Sequence, residues 1–169
     1  VATLAAEQRF DYLIIESSGI SEPLPVAETF TFKDDTGVAL SDVAALDTLV
    51  TVVDGASFMR ELQTLESLRN RGWHADPEDQ RTIAHLLCDQ VEFANIIILN
   101  KCDLIDEKEK GTVKMLLRKF NPDAEIIEST HGVVDPTKIL GTKRFSMIEA
   151  EKHDEWLKEA RIGEHVPET

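Results

Sequence analysis

The chain has 169 residues, 42% hydrophobic and 30% charged, with 32 acidic against 18 basic side chains and a formal net charge of −14. That length and balance suit one globular domain with a single buried core and exclude a disordered or fibrous chain. The acidic excess would repel nucleic-acid phosphates, and no apolar run approaches the roughly 20 residues of a membrane span, so neither nucleic acid nor membrane is an expected partner.

Val1 to Phe10 lacks the basic region that opens a signal peptide. Cys88 and Cys102 stand fourteen positions apart and form no CxxC pair, so neither a disulfide framework nor a zinc knuckle follows, and a reducing cytoplasm is the default compartment. Tyr12-Leu13-Ile14-Ile15 is the first of four short apolar runs expected to be buried strands; the others are Leu49 to Val53, Ile96 to Leu99 and Glu125-Ile126-Ile127. They do not alternate with polar residues, as suits a parallel sheet covered on both faces. Thr31 to Asp47 reads as irregular, with a turn signal at Lys33-Asp34-Asp35-Thr36-Gly37.

Helical patterns separate the strands. Ser57 is a candidate cap for a helix that turns Phe58, Leu62 and Leu65 inward. Asp76-Pro77-Glu78-Asp79 offers a cap, a first-turn proline and first-turn acids ahead of an apolar stripe at Ile83, Leu86, Leu87 and Val91. Asp106 with Glu109 forms a capping box before Val113, Leu116, Leu117 and Phe120, and Asn121-Pro122 ends that helix. From Gly141 the apolar residues thin out, and a surface helix is expected from about Ser146. Strand and helix alternate, so the fold class is α/β with right-handed crossovers.

Two strand ends carry chemistry. Ile96 to Leu99 delivers Asn100-Lys101-Cys102-Asp103 into a loop at the carboxyl edge of the sheet, where open α/β folds bind ligands. A carboxylate at Asp103 can accept from both N1–H and the exocyclic amine of guanine. Adenine lacks that donor pair and would leave the carboxylate desolvated and unpaired, which sets discrimination on the order of 10⁴-fold at best. The Lys101 stem can lie along the base, and Asn100 can tie neighbouring loops together. An ordinary turn with Asn and Asp as caps is the competing reading, and the buried strand ahead of the motif weighs against it. The second strand end, Asp11 to Ile15, leads into Glu16-Ser17-Ser18-Gly19: a carboxylate where phosphate-handling sheets place an acid near magnesium, then a glycine whose N–H can approach a terminal phosphate.

Other candidates are weaker. His74, His85, His131, His153 and His165 are scattered, and His85, one helical turn from Cys88, is expected to be a packed helix residue and not a metal ligand. Trp73 and Trp156 are expected to pack, and Cys102 to fill space. No catalytic nucleophile or general base is assignable from the order of residues.

Glu16-Ser17-Ser18-Gly19-Ile20-Ser21-Glu22-Pro23 with Pro25 to Phe30 resembles the switch region of CobW-like GTPases, the metal-handling branch of the P-loop GTPases. Thr51 to Gly55 resembles that family's next strand, Asp89 to Ala94 leading into Asn100 to Asp103 its guanine-specificity segment, and Thr130-His131-Gly132 the loop that closes over the base. The likeness runs from about residue 7 to 145. It implies a P-loop NTPase-like parallel sheet flanked by helices, with residues 1–145 a partial G domain and 146–169 a linker or surface helix. It also implies hydrolysis of Mg²⁺-GTP to drive delivery of zinc or cobalt to a client metalloprotein, with GTP and GDP as ligands. On that basis Asn100, Lys101, Asp103, Thr130, His131 and Gly19 are expected to contact nucleotide, and Glu16 to hold Mg²⁺ directly or through water. The sequence contains no GxxxxGK[ST] and no cysteine-rich metal motif of that family. The phosphate-loop strand is therefore missing from the expected sheet, and this segment is expected to be less stable and catalytically inactive by itself. The alternative is a non-catalytic interaction module that keeps the fold without nucleotide turnover.

Overall fold

A computed structural model describes residues 1–7, 9–17, 19, 23–33, 37–63 and 82–152, grouped into two compact units. The larger unit comprises residues 15–23 and 47–144. Its centre is a parallel sheet of β1 (Val50–Asp54), β2 (Ile96–Asn100) and β3 (Glu125–Glu128), in the order β1-β2-β3. Val50 pairs with Ile96 and Asp54 with Asn100, while Ile96 pairs with Glu125 and Leu99 with Glu128. Helix α3 (Phe58–Leu62) follows β1, α4 (Ile83–Glu92) precedes β2, and α5 (Glu107–Phe120) joins β2 to β3.

The aliphatic run of β2 is what a central parallel strand requires. Ile96, Ile97 and Leu99 are fully buried and Ile98 nearly so. On one face Val53, Ile97 and Leu99 pack with Phe58, Val91, Val113, Leu117 and Ala124 from the helices and the turn before β3. Each of the larger side chains among them contributes about 1.5–3 kcal/mol on withdrawal from water. Helix α5 matches its sequence signals: the Asp106 carboxylate accepts from the Glu109 amide at 2.7 Å, and Glu109 accepts in return from the Asp106 amide at 2.9 Å. Asn121, extended because Pro122 follows, ends it.

Buried Asn121 holds the ends of two helices together. Its side-chain amide donates to the carbonyls of Val91, Glu92 and Ala94 at 2.8–2.9 Å, satisfying the C-terminus of α4. Its Oδ1 accepts from the amides of Asp123 and Ala124, fixing the turn into β3.

The smaller unit comprises residues 1–14, 24–46 and 145–169. In it α1 spans Ala2–Ala6, α2 spans Pro23–Glu28 from the adjoining residue onward, and α6 spans Met147–Ala150, with the Ser146 hydroxyl accepting from Glu149. Leu24, Ala27, Phe30 and Ala39 are buried there, and Lys33 forms an isolated antiparallel bridge with Ala39.

Three expectations need correction. Tyr12-Leu13-Ile14-Ile15 is not a buried strand: it has no regular structure and all four side chains are exposed, Ile14 at 71%. A parallel strand exists only through a partner's ladder, and among the described residues none pairs with this segment. His85 is not packed. It lies on the face of α4 away from Ile83 and Leu86, exposed, with Nε2 3.6 Å from Asp89. Ser57 stands at the start of α3 without a side-chain cap; its amide donates to Asp54 instead. The described part of α4 opens on Thr82, whose hydroxyl accepts from the His85 amide. The expected cap at Asp76, together with Leu65, Trp73, His74, His153, Trp156 and His165, lies outside the described residues.

Replacing Asn121 by Ala takes its side-chain donor from the last two carbonyls of α4, Val91 and Glu92, and from the following Ala94 carbonyl, and we expect a loss of about 1–3 kcal/mol in unfolding free energy. Asn121→Asp, which sets a carboxylate against those carbonyls, should lose more. Urea denaturation of both variants tests the ranking.

Candidate nucleotide-binding site

Parallel pairing brings the carboxyl ends of all three strands to one edge, so the residues following β1, β2 and β3 are neighbours without any loop having to reach. Asn100 joins them. Its carbonyl accepts from the Gly55 amide after β1 at 2.9 Å, and its Oδ1 accepts from the Gly132 amide after β3, also at 2.9 Å. Two further bonds lace the β2 and β3 exits together, from the Ser129 amide to the Leu99 carbonyl at 2.8 Å and from the Cys102 amide to the Ser129 carbonyl at 3.1 Å.

Backbone conformation follows from this lacing. Lys101 sits in the left-handed region at φ 60° and turns the chain into a single 3₁₀ turn, Cys102–Leu104. A residue with a Cβ pays about 1–2 kcal/mol there, so the fixed neighbours must hold it. His131 and Gly132 are also left-handed, at φ 54° and 70°, and this aims the Gly132 amide at Asn100. Gly55 is required for a different reason: a Cβ would lie 3.1 Å from the Asn100 carbonyl oxygen and 3.0 Å from Ile105 Cδ1. A side chain at that position would press on the Asn100 carbonyl and the Ile105 and Leu99 side chains, closer than ordinary packing allows.

Asp103 is exposed on the 3₁₀ turn, and among the described residues its carboxylate has no hydrogen-bond or ion-pair partner. It borders a shallow, open cleft of about 440 Å³ lined also by Cys102, Lys110, Glu128, Ser129, Thr130 and Val133. The other charges in that wall are committed. Lys110 contacts Glu107 at 2.8 Å and Glu128 at 3.0 Å, and Lys114 contacts Glu128 at 2.6 Å. The Lys114 and Lys110 hydrogen bonds hold Glu128 below the usual carboxylate range, and Glu107 and Glu128 hold Lys110 firmly protonated. Asp103 is thus the acid in this wall left free for a ligand's donors.

Lys101 reaches the other way. Its Nζ lies 2.7 Å from Asp54 Oδ2 at the tip of β1, while Asp54 Oδ1 accepts from the amides of Ala56 at 2.9 Å and Ser57 at 3.2 Å. Burial raises the Asp54 pKa, but the hydrogen bonds from Lys101, Ser57 and Ala56, with the Lys101 charge, outweigh it and the net shift is downward. The Cys102 thiol donates to the Leu99 carbonyl at 3.1 Å and its side chain packs against the core. Thr130 is half-buried and its carbonyl accepts from the Val133 amide at 3.2 Å, whereas His131 is exposed.

The second constellation has fewer supports. Glu16 is exposed, with no partner among the described residues. The Gly19 carbonyl accepts from Gln90 Nε2 at 3.0 Å, and the Gln90 carbonyl accepts from the Thr51 hydroxyl at 2.6 Å, so Gly19 is tethered through α4 to β1. Among the described residues no hydrogen bond joins Glu16 or Gly19 to the Asn100–Asp103 loop. A lone exposed carboxylate fits the way Mg²⁺ is held by one or two acids together with phosphate oxygens, and does not make a binding site by itself. Among the described residues no three His, Cys, Asp or Glu side chains converge as metal ligands. Burial, with Asp89 and Glu92 nearby, pushes the Cys88 thiol up and keeps it protonated. Sequence reasoning missed Asp54 and Gln90 as contributors to this edge. The available signal for Asp54 was its position as the last residue of a strand, matching Asn100.

Two outcomes follow. Removing the Asn100 side chain by Asn100→Ala should speed hydrogen exchange at the Gly132 amide by at least about tenfold relative to β2 amides, the loss of one hydrogen bond of about 1.4 kcal/mol. A depressed Asp pKa stabilises the fold above the unfolded value and loses that contribution as pH falls through the folded one. Asp54 should therefore support stability at neutral pH and lose this below its ordinary value of 3.8. Asp54→Asn should flatten the acid limb of a thermal-stability profile.

A family model described as CobW/HypB/UreG, nucleotide-binding domain, matches residues 1–128. A Dictyostelium discoideum protein named zinc-regulated GTPase metalloprotein activator 1 is 51% identical over 170 aligned positions, covering 100% of this chain and 36% of that protein. A protein of the same name from Schizosaccharomyces pombe is 34% identical over 75% of this chain and 26% of its own length. A Sinorhizobium protein named zinc chaperone CobW is 31% identical over 82% of this chain and 39% of its own length. The chain thus spans about a quarter to two-fifths of the length of these relatives. No solved structure matches at a significant level.

Proposed function

The chain belongs to the CobW/HypB/UreG family of nucleotide-binding domains, and from that premise we propose that it is the guanine-reading part of a GTPase acting in metal delivery. The observation that carries this reading is the unpaired Asp103 carboxylate at the tip of β2, on a loop that Asn100 holds to its neighbours on both sides.

Guanine would place N1–H and its 2-amino group on Asp103, with the Lys101 stem along the base plane and the Thr130–Gly132 turn closing over one edge. Asn100 would support the site by fixing the neighbouring loops through its Oδ1, leaving its side-chain NH2 for the nucleotide. Glu16 would take Mg²⁺, directly or through water. When bound, the ion supplies charge to the phosphate oxygens. Gly19 would offer its amide to the terminal phosphate, and its tether to Gln90 provides a route from that contact to α4. The residues named here would act by positioning and electrostatics, with no general base nominated among them. Turnover needs a phosphate cradle that these 169 residues do not contain.

The cargo we propose is zinc, since the relatives carry zinc in their names; cobalt, allowed by the sequence reading, has no support from those names. The recipient would be a client metalloprotein in the cytoplasm. Among the described residues no helix is long and apolar enough to cross a membrane.

The test is a change of base in the complete protein. Asp103→Asn removes the acceptor that two guanine donors need and adds a donor suited to the 2-carbonyl of xanthine. GTP affinity should fall by roughly 10²-fold or more, and xanthosine triphosphate should bind in its place. Unchanged GTP affinity in that variant, or equal binding of ATP by the wild type, would remove Asp103 from the proposed role.

A further inference from the structure

Lys101 and Asp103 stand two residues apart in one exposed loop, and each has a task that the other could spoil. An ammonium on a flexible four-carbon stem seeks the nearest free carboxylate, and Asp103 is free. The structure resolves the conflict by giving Lys101 a different partner across the sheet edge. Its Nζ lies 2.7 Å from Asp54 Oδ2, on the strand next door.

Asp54 is built for this. It ends β1 in register with Asn100, the residue that ends β2. Its Oδ1 is occupied by the Ala56 and Ser57 amides, so the carboxylate cannot rotate freely and Oδ2 stays turned toward Lys101. The adjacent Gly55 amide bonds the Asn100 carbonyl, holding the two strand tips at fixed separation. Lys101 begins at the end of β2 in the left-handed region and finishes at the end of β1, so its methylenes must span the tips of both strands.

We propose that Asp54 is a positioning residue for base recognition: it holds the Lys101 ammonium away from Asp103, lays the Lys101 stem as an apolar platform for the base, and leaves Asp103 unneutralised. Asp54 touches neither base nor phosphate and acts through Lys101. This rests on the guanine-binding reading above.

The test is a double-mutant cycle on nucleotide affinity in the complete protein. Asp54→Asn keeps an oxygen for the Ala56 and Ser57 amides and removes the charge that holds Lys101. Fluorescent GTP affinity should fall about tenfold in this variant. In a Lys101→Ala background the same substitution should change affinity by less than about twofold, because the group through which Asp54 acts is gone. Equal losses in both backgrounds would make Asp54 merely structural and overturn the proposal, as would full affinity in the single variant. Thermal melts of the four proteins separate loss of fold from loss of binding. A wild-type protein that bound no GTP would instead defeat the guanine reading itself, an outcome distinct from normal wild-type binding with an additive cycle.

Discussion

The register between β1 and β2 is the constraint from which the site follows. Pairing Val50 with Ile96 sets Asp54 beside Asn100, and no other register does so. A slip of β1 by one residue would turn Val53 out of the core it shares with Ile97 and Leu99. The same hydrophobic burial that stabilises the sheet therefore fixes which carboxylate and which carboxamide stand side by side at its edge. The polar edge is precise because the apolar interior is intolerant.

From that edge the loops are organised mainly by backbone hydrogen bonding. Gly55, Ser129, Cys102 and Gly132 each contribute an amide, and Leu99, Ser129 and Asn100 supply the acceptors. Charged groups then divide into two sets. Lys110, Lys114, Glu107 and Glu128 neutralise one another on the cleft wall, as Lys101 and Asp54 do on the strand tips. Such pairs near the surface add little to stability. On the cleft wall they leave Asp103 as the carboxylate without a partner among the described residues. A protein with a net charge of −14 would otherwise offer a ligand many acids of equal standing.

Apolar composition by itself does not make a buried strand. Val52 is 63% exposed at the outer strand, and Tyr12 to Ile15, an apolar run of the same character as β2, has no ladder partner among the described residues. Sequence periodicity reads both runs as strands because both have the composition of one. Only pairing distinguishes them. β2 has neighbours on both edges and becomes the core, whereas Tyr12 to Ile15 has no ladder partner among the described residues and is irregular.

The sequence by itself determined the fold class and located the sheet edge where the candidate site lies. Its aliphatic runs located three strands to within a residue or so, its Asp106–Glu109 box started α5 in the right place, and its Asn-Lys-Cys-Asp segment marked the edge that the family match later put in context. These are local properties, set by side-chain volume, turn chemistry and capping within a few residues. Tertiary structure alone decided what depends on distant partners: the unpaired state of Tyr12 to Ile15, the exposure of His85 on the polar face of its helix, and the coupling of Asn121 to α4 thirty residues away. It also decided the pairing of Lys101 with Asp54 across 47 residues. A strand-ending aspartate carries no sign of which cation it will meet. That is fixed when parallel strands align, because only then do residues remote in the chain share one edge.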